Sequence, residues 1–337
     1  MTHTSSRSIR VGVIGSGSIA RSHLEALKAL STADIVAHAD LNLDAARECA
    51  ETYGGEAFAD YRDLLKSSPE AIVICTPGKL HPEHAIAALE AGAHVLCEKP
   101  LAITIEECDR MIDAARDAGR KLMVGQVLRY YPGPMTLINV AKSGRLGRIV
   151  TCWSTRIGWY GMEGAPRWRF NPASEGGGTA LEWEPHEIDL LRMIGGEATS
   201  VTARTACTRE EAPGFDDFIH AVIDLGDGVI GRIDAGNSSM YEECSRGVIG
   251  TEGAAWCGWG DVSVKIKGSD EVETISANLS GIPDGVTPGM YLQDGKFLDA
   301  IINDTDVPIP GEEGRANVAV ALAMLESGQT MQSVDLS

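Results

Sequence analysis

No two of the eight cysteines in this 337-residue chain form a CxxC pair, and no run of 18 apolar residues occurs in it. The first absence removes zinc-knuckle and thioredoxin-like spacings, and the second removes any candidate membrane span. Several cysteines sit inside apolar runs such as AIVIC and AHVLC, as small buried hydrophobes of a reducing compartment do. The opening MTHTSSRSIR lacks the apolar core of a secretory signal, so the expected location is cytoplasmic. Basic residues are scarce: 29 Lys and Arg stand against 48 Asp and Glu, a formal charge of -19. Such a surface repels phosphate backbones and anionic lipid, which excludes nucleic acid and membrane as expected partners. Most of the acid lies beyond residue 125, and a neutral polyol suits that field better than a polyanion. No GxSxG elbow is present, and isolated His among carboxylates gives no metal-ligand spacing, so no metal is expected. Low-complexity tracts, internal repeats and long linkers are also missing. At 44% hydrophobic, the chain has enough apolar content for two closely packed domains.

What is present has two textures. From Arg10 to Gln126, short β-rich runs (RVGVIG, DIVAHAD, AIVICTP, AHVLCEKP, KLMVGQ) alternate with segments of helical period such as SIARSHLEALKAL and HPEHAIAALEAG. Gly92 and Gly119 punctuate two of the helical segments. Strand and helix in alternation predict a doubly wound parallel sheet. Beyond Gln126 the segments RIVTCWSTRIGWY, SVTARTAC, DFIHAVIDLG, GVIGRIDAGNSS and VSVKIKG are β-branched and separated by Gly, Asp and Asn turns. They predict an open, mostly antiparallel sheet, with helices at about 178–194 and about 312–327. The fold class is therefore α/β, a Rossmann domain over 1–126 joined to an α+β domain over 127–337 for substrate binding and oligomerisation.

The first strand runs into Gly15-Ser16-Gly17-Ser18-Ile19-Ala20, a GxGxxA turn that opens a helix. Gly15 permits the tight turn. Gly17 lets backbone approach a pyrophosphate held at the helix N-terminus, where unpaired N–H groups and the macrodipole favour an anion. Asp40 ends the second strand and is placed to accept ribose hydroxyls, and no Arg follows it, which favours NAD over NADP. A turn or helix-capping role would also account for Asp40. Thr76, Pro77 and His81 follow the third long strand, and Glu98 and Lys99 follow the fourth, so all should face the crevice beyond the strand ends. Lys99, directly after AHVLC, is expected to be partly desolvated and useful in proton transfer, or else to snorkel beside Glu98. His81 is either a crevice residue or a simple helix-start cap.

A third cluster follows Gly176-Gly177-Gly178: Glu182, His186 and Asp189, spaced i, i+4 and i+7 and so on one face of a continuous helix. Pro185 either kinks that helix or starts a new one, and in the second case His186 lies in a first turn that keeps its ring neutral. A neutral imidazole suits a general base.

Together GxGxxA, TPGKLH, CEKP and GGGTALEWEPHEIDLL resemble the Gfo/Idh/MocA family of oxidoreductases, and the resemblance covers nearly the whole chain. It implies an N-terminal Rossmann domain, a C-terminal domain with an open antiparallel sheet, and a site to which Lys99 and His186 contribute the proton acceptor for a substrate hydroxyl as hydride leaves carbon. Asp189 matches a structural acid of the family. This chain departs from the pattern where Glu182 replaces an aspartate and Glu184-Pro185 replaces a small, Gly-containing step, so its pocket should differ from that of an inositol dehydrogenase. The implied activity is NAD-dependent oxidation of a sugar, cyclitol or related polyol. The alternatives are a reductase of a nonsugar carbonyl or imine, or a silent NAD-sensing regulator. Glu182 is expected to fix the substrate, with Arg129, Tyr160, Arg167 and Trp168 as outer contacts. An open apolar sheet face predicts a homodimer or homotetramer.

Overall fold

The computed structural model describes residues 7–160, 170–171 and 178–336. Six parallel strands form the first sheet: β1 (Ile9–Ile14), β2 (Ala33–Ala39), β3 (Glu56–Phe58), β4 (Ala71–Ile74), β5 (His94–Glu98) and β6 (Leu122–Gly125). Their order is β3-β2-β1-β4-β5-β6, so the strand order reverses between β1 and β4. This is the Rossmann arrangement, in which ligands lie beyond the carboxyl ends at the switch point. β4 and the first part of the sheet read as near-continuous apolar runs because helices cover both faces, and every residue of β4 and β6 is buried. Helix Ser18–Ala29 turns Ala20, Leu24, Ala26 and Leu27 inward. Helix Ile105–Ala118 begins with the Thr104 hydroxyl accepting the Glu107 amide and ends on Gly119 at φ 60°.

The second sheet has nine strands: β7 (Ile149–Trp159), β8 (Ala198–Ala206), β9 (Phe218–Leu225), β10 (Ile230–Gly236), β11 (Ser238–Gly250), β12 (Gly253–Cys257), β13 (Val262–Ile266), β14 (Glu273–Ile275) and β15 (Val334–Asp335). They lie in the order β14-β13-β12-β11-β7-β10-β9-β8-β15. All neighbours are antiparallel except β7 and β10. In β9, Ile219, Ala221, Ile223 and Leu225 are buried while His220, Val222 and Asp224 alternate outward, the period of a sheet covered on one face.

The chain divides into two compact units, and the single boundary expected after residue 126 needs amending. One unit runs to Val127 and regains Gly281–Arg315, and the other comprises Leu128–Ser280 and Ala316–Ser337. The returning segment carries a helix, Pro288–Ile302, that packs on Ser18–Ala29. It then runs beside β6, where the Val124 amide donates to the Ile309 carbonyl at 2.9 Å. Local pattern gives little warning of this return, because the reason for it is burial against residues some 270 positions earlier. Among the described residues, no helix is long and apolar enough to cross a membrane. Cys49, Cys75, Cys97, Cys108, Cys152 and Cys257 are buried, Cys244 is half-buried, and Cys207 is exposed.

Candidate active site

In the first unit, the residues singled out from sequence gather at the carboxyl edge of the parallel sheet. Gly15 has φ +98°, and a Cβ there would stand 2.7 Å from the Cys75 carbonyl oxygen, so only glycine lets β1 turn beside β4. Its amide donates to the Ala39 carbonyl at 2.8 Å, tying the turn to β2. A Cβ on Gly17 would meet nothing within 4 Å among the described residues. That open space faces the first turn of helix Ser18–Ala29, which has no side-chain cap and no acidic residue. Ser18 and Gly17 are exposed, Ile19 is half-buried, and the buried Ser16 Oγ has no hydrogen-bond partner among the described residues. Asp40 accepts the Ser16 amide on one oxygen and the Asn42 amide on the other, each at 2.8 Å. The carboxylate is thereby aimed across the turn, and both its ribose-binding and its local turn-forming readings have a place in this geometry. A bare helix N-terminus, an uncrowded glycine and an oriented acid fit a dinucleotide with free ribose hydroxyls.

His81 belongs to the floor of this edge. It is buried, and its ring nitrogens lie 2.8 Å from the Pro100 carbonyl oxygen and 2.7 Å from that of Thr76. The ring thus ties the Thr76-Pro77 turn to the turn at Lys99-Pro100. Burial lowers its pKa, against the pull of those carbonyls. The Thr76 hydroxyl meets His84 Nδ1 at 3.0 Å, and burial takes that second ring down to about 4, so it is neutral. Glu98 is buried, whereas Lys99 is half-buried at the tip of β5.

In the second unit, Pro185 opens a new helix, Pro185–Gly195, after the short helix Thr179–Glu182. Glu182 and His186 therefore do not share one helical face, as a continuous helix would have required. His186, half-buried, takes a first-turn position of the helix that Pro185 opens. Asp216 anchors the short helix: its carboxylate accepts the Gly178 amide at 2.6 Å and the Ala180 amide at 3.0 Å. Burial still raises Asp216 to about 6, despite those donors. Gly178 is obligatory, because a Cβ would stand 2.2 Å from the Asp216 carbonyl oxygen. This seating leaves Glu182 buried, 5% exposed. Tyr160, partly exposed, tilts against Trp183 at 4.7 Å between ring centroids, which brings it beside the Glu182–His186 segment.

Arg129, expected at the outer substrate shell, is bound to Asp189 through two N–H···O bonds of 2.6 Å, and Asn317 adds a third donor at 3.0 Å. It secures the helix that carries His186. Arg167 and Trp168 lie outside the described residues. Sequence reasoning missed Glu187 and Arg246, a fully buried ion pair supported by Ser154 at 2.8 Å and by Trp259 stacked 4.3 Å from the guanidinium. Fifty-nine positions separate the partners, so no local spacing announces them. It also missed the role of Glu184, which is 1% exposed and whose Oε2 has no hydrogen-bond partner among the described residues. Among the described residues, no group of three His, Cys, Asp or Glu is arranged to hold a metal ion.

Two family models match the chain. Residues 9–126 match the NAD-binding Rossmann fold of the GFO/IDH/MocA oxidoreductase family, and residues 135–256 match a GFO/IDH/MocA C-terminal domain. The 2,7-anhydro-N-acetylneuraminate hydratase of Mediterraneibacter gnavus is 27% identical over 306 residues, covering 80% of this chain and 81% of that protein. Levoglucosan dehydrogenase of Pseudarthrobacter phenanthrenivorans is 32% identical over 251 residues, covering 69% and 64% respectively. A solved levoglucosan dehydrogenase in complex with NADH and levoglucosan superposes with a TM-score of 0.89 at 26% identity, over 98% of this chain and 100% of that one.

Proposed function

The chain belongs to the Gfo/Idh/MocA family of oxidoreductases, and we propose that it is an NAD-dependent dehydrogenase of a sugar, cyclitol or related polyol. One observation carries this reading: the uncapped helix start, the open face of Gly17 and the oriented Asp40 carboxylate stand on the same sheet edge as the Lys99 turn. Gly15, Gly17, Ser18 and Ile19 would hold the diphosphate, Asp40 the ribose, and Thr76, Pro77 and the Glu98–Lys99 turn the nicotinamide half. Bound NAD supplies the hydride acceptor. Lys99 and His186 are the groups assigned to the hydroxyl proton. Either an amine that reaches the hydroxyl or a neutral imidazole takes that proton as the carbonyl forms. Glu182 and Tyr160 are assigned to substrate hydroxyls.

Three further assignments go with this reading. The substrate is a neutral polyol, in keeping with the -19 charge. The location is cytoplasmic, in keeping with mostly buried, unpaired cysteines. The protein is a homodimer or homotetramer joined through the uncovered face of the nine-stranded sheet. Strand register puts Val222, Ile230, Ile249 and Trp256 on that face, each 38–48% exposed. Light scattering of the purified protein reads the assembly directly, and a monomer at micromolar concentration overturns it.

Nicotinamide absorbance with NAD and a panel of sugars and inositols tests the activity. Turnover on at least one hydroxyl substrate is expected. Tight NADH binding without turnover on any alcohol or carbonyl supports the sensor instead. Lys99→Ala should lower kcat by roughly 100-fold or more, and near-normal rates exclude the proton-transfer role.

A further inference from the structure

His23 is a buried ionisable group that neither the dinucleotide turn nor the hydroxyl chemistry uses. It sits on the apolar stripe of helix Ser18–Ala29 with no solvent exposure. Nδ1 lies 3.0 and 2.9 Å from the two carboxylate oxygens of Asp294, and Nε2 lies 3.0 Å from Glu98 Oε1. An ionised carboxylate only accepts, so with both acids ionised the contacts at both nitrogens fit a ring with two N–H groups, an imidazolium between two anions. Burial raises Asp294, against the pull of His23. The surroundings agree with that geometry. Burial alone would strip the proton, but Asp294 and Glu98 together outweigh it and raise the pKa to about 10. Cys75 is a further titratable group near both carboxylates, and burial and those two charges hold its thiol protonated.

The network ends at the turn assigned to chemistry. Glu98 Oε2 accepts the backbone amide of Lys99 at 3.2 Å. The same carboxylate occupies the space left by Gly125, where a Cβ would stand 2.6 Å from Oε1. Asp294 arrives from the returning helix Pro288–Ile302. Asp294, His23, Glu98 and the Lys99 backbone therefore form one connected chain of hydrogen bonds.

We propose that His23, doubly protonated, and Asp294 behind it are positioning residues that lock Glu98 and thereby fix the backbone from which Lys99 presents its amine. The role rests on the reading of Lys99 as a proton-transfer group; the imidazolium bridge does not. Nitrogen NMR on ring-labelled histidine reads the bridge. At about pH 8.5, two units above an ordinary histidine, His23 should still carry protons on both nitrogens, and a neutral ring there overturns the proposal.

Asp294→Asn tests the positioning. Asparagine can donate to Nδ1, so the ring needs only one proton and the lock loosens without a change beside the dinucleotide turn. We expect kcat to fall about 10- to 100-fold, with KM for the sugar and NADH affinity by fluorescence within about threefold. In a Lys99→Ala background the same substitution should cost less than about threefold, because the residue it acts through is gone. An equal loss in both backgrounds marks general structural damage and sinks the positioning role, as does an unchanged kcat for Asp294→Asn alone. Should that variant not fold, the pair His23→Gln with Asp294→Asn keeps a donor to Glu98 without the buried cation and is read in the same cycle. A Lys99→Ala protein of undiminished turnover removes the proton-transfer reading and the positioning role with it, while the histidine spectrum still decides the bridge.

Discussion

Glu184 and Glu187 stand one helical turn apart at the start of the helix that carries His186, both buried, and their surroundings shift them in opposite directions. Burial and the neighbouring Glu187 charge raise Glu184 to about 8, against the pull of Arg156 and Arg246. Burial would raise Glu187 too, but Arg246, with Arg156 and Ser154, holds it below its ordinary value. Two carboxylates so close cannot both ionise cheaply, and the guanidinium settles which one does.

Glu184 accordingly gives the fold a pH dependence of definite sign. The native chain keeps this proton between the ordinary glutamate value of 4.5 and about 8, where the unfolded chain has lost it. The native state binds more protons in that window, so this group's contribution falls as pH rises from 4.5 toward 8. Glu184→Gln, which cannot ionise, should gain stability relative to the parent over the same window. Urea denaturation at several pH values checks it, and a constant difference between the two proteins contradicts the assignment.

Gly15 and Gly17 should respond differently to alanine. Gly15→Ala puts a side chain at positive φ against the Cys75 carbonyl, and a loss of roughly 1–3 kcal/mol in folding stability is expected. Gly17→Ala meets no protein atom. It should leave stability within about 0.5 kcal/mol while weakening NADH about tenfold, because the methyl fills the space assigned to diphosphate. Thermal denaturation and NADH fluorescence separate the two.

Cofactor preference should turn on Asp40 and its neighbour. Leu41 is 92% exposed beside the Asp40 carboxylate. Asp40→Ser with Leu41→Arg removes the charge that repels a 2′-phosphate and supplies one that attracts it. The ratio of kcat/KM for NAD over NADP should fall at least about tenfold. An unchanged ratio means that Asp40 serves only its turn.

Arg129→Met distinguishes a structural arginine from a substrate contact. It leaves Asp189, 1% exposed, with Asn317 as the donor of known geometry. Loss of one partner of a buried pair should cost about 3–5 kcal/mol in chemical denaturation. The folded fraction should bind sugar with an unchanged KM. A KM raised tenfold without loss of stability would return Arg129 to the substrate shell.

Five strands of the parallel sheet were readable because each is a short apolar run beside a helix of regular period, whereas β3, three residues long with an exposed Glu56, carries no such signal. The glycine turn, Asp40 and the EKP turn were readable because their chemistry is local to one strand end. His23 was not, since a histidine at i+3 from Ala20 looks like one member of an apolar stripe. Its partners come from two other elements, and only the fold reveals that both are acids. The same holds for Glu187, whose counter-charge arrives from β11. For Glu182 and His186 the sequence left two readings open, and the chain takes the one in which Pro185, which cannot donate to the preceding turn, restarts the helix.

Asp294 follows His23 by 271 positions. During synthesis the second acid of the bridge therefore leaves the ribosome only after all of β7 to β14. A swap that transplants only the first 127 residues would sever that bond. An interchangeable cofactor module has to be cut as two pieces, the second carrying residues 281–315.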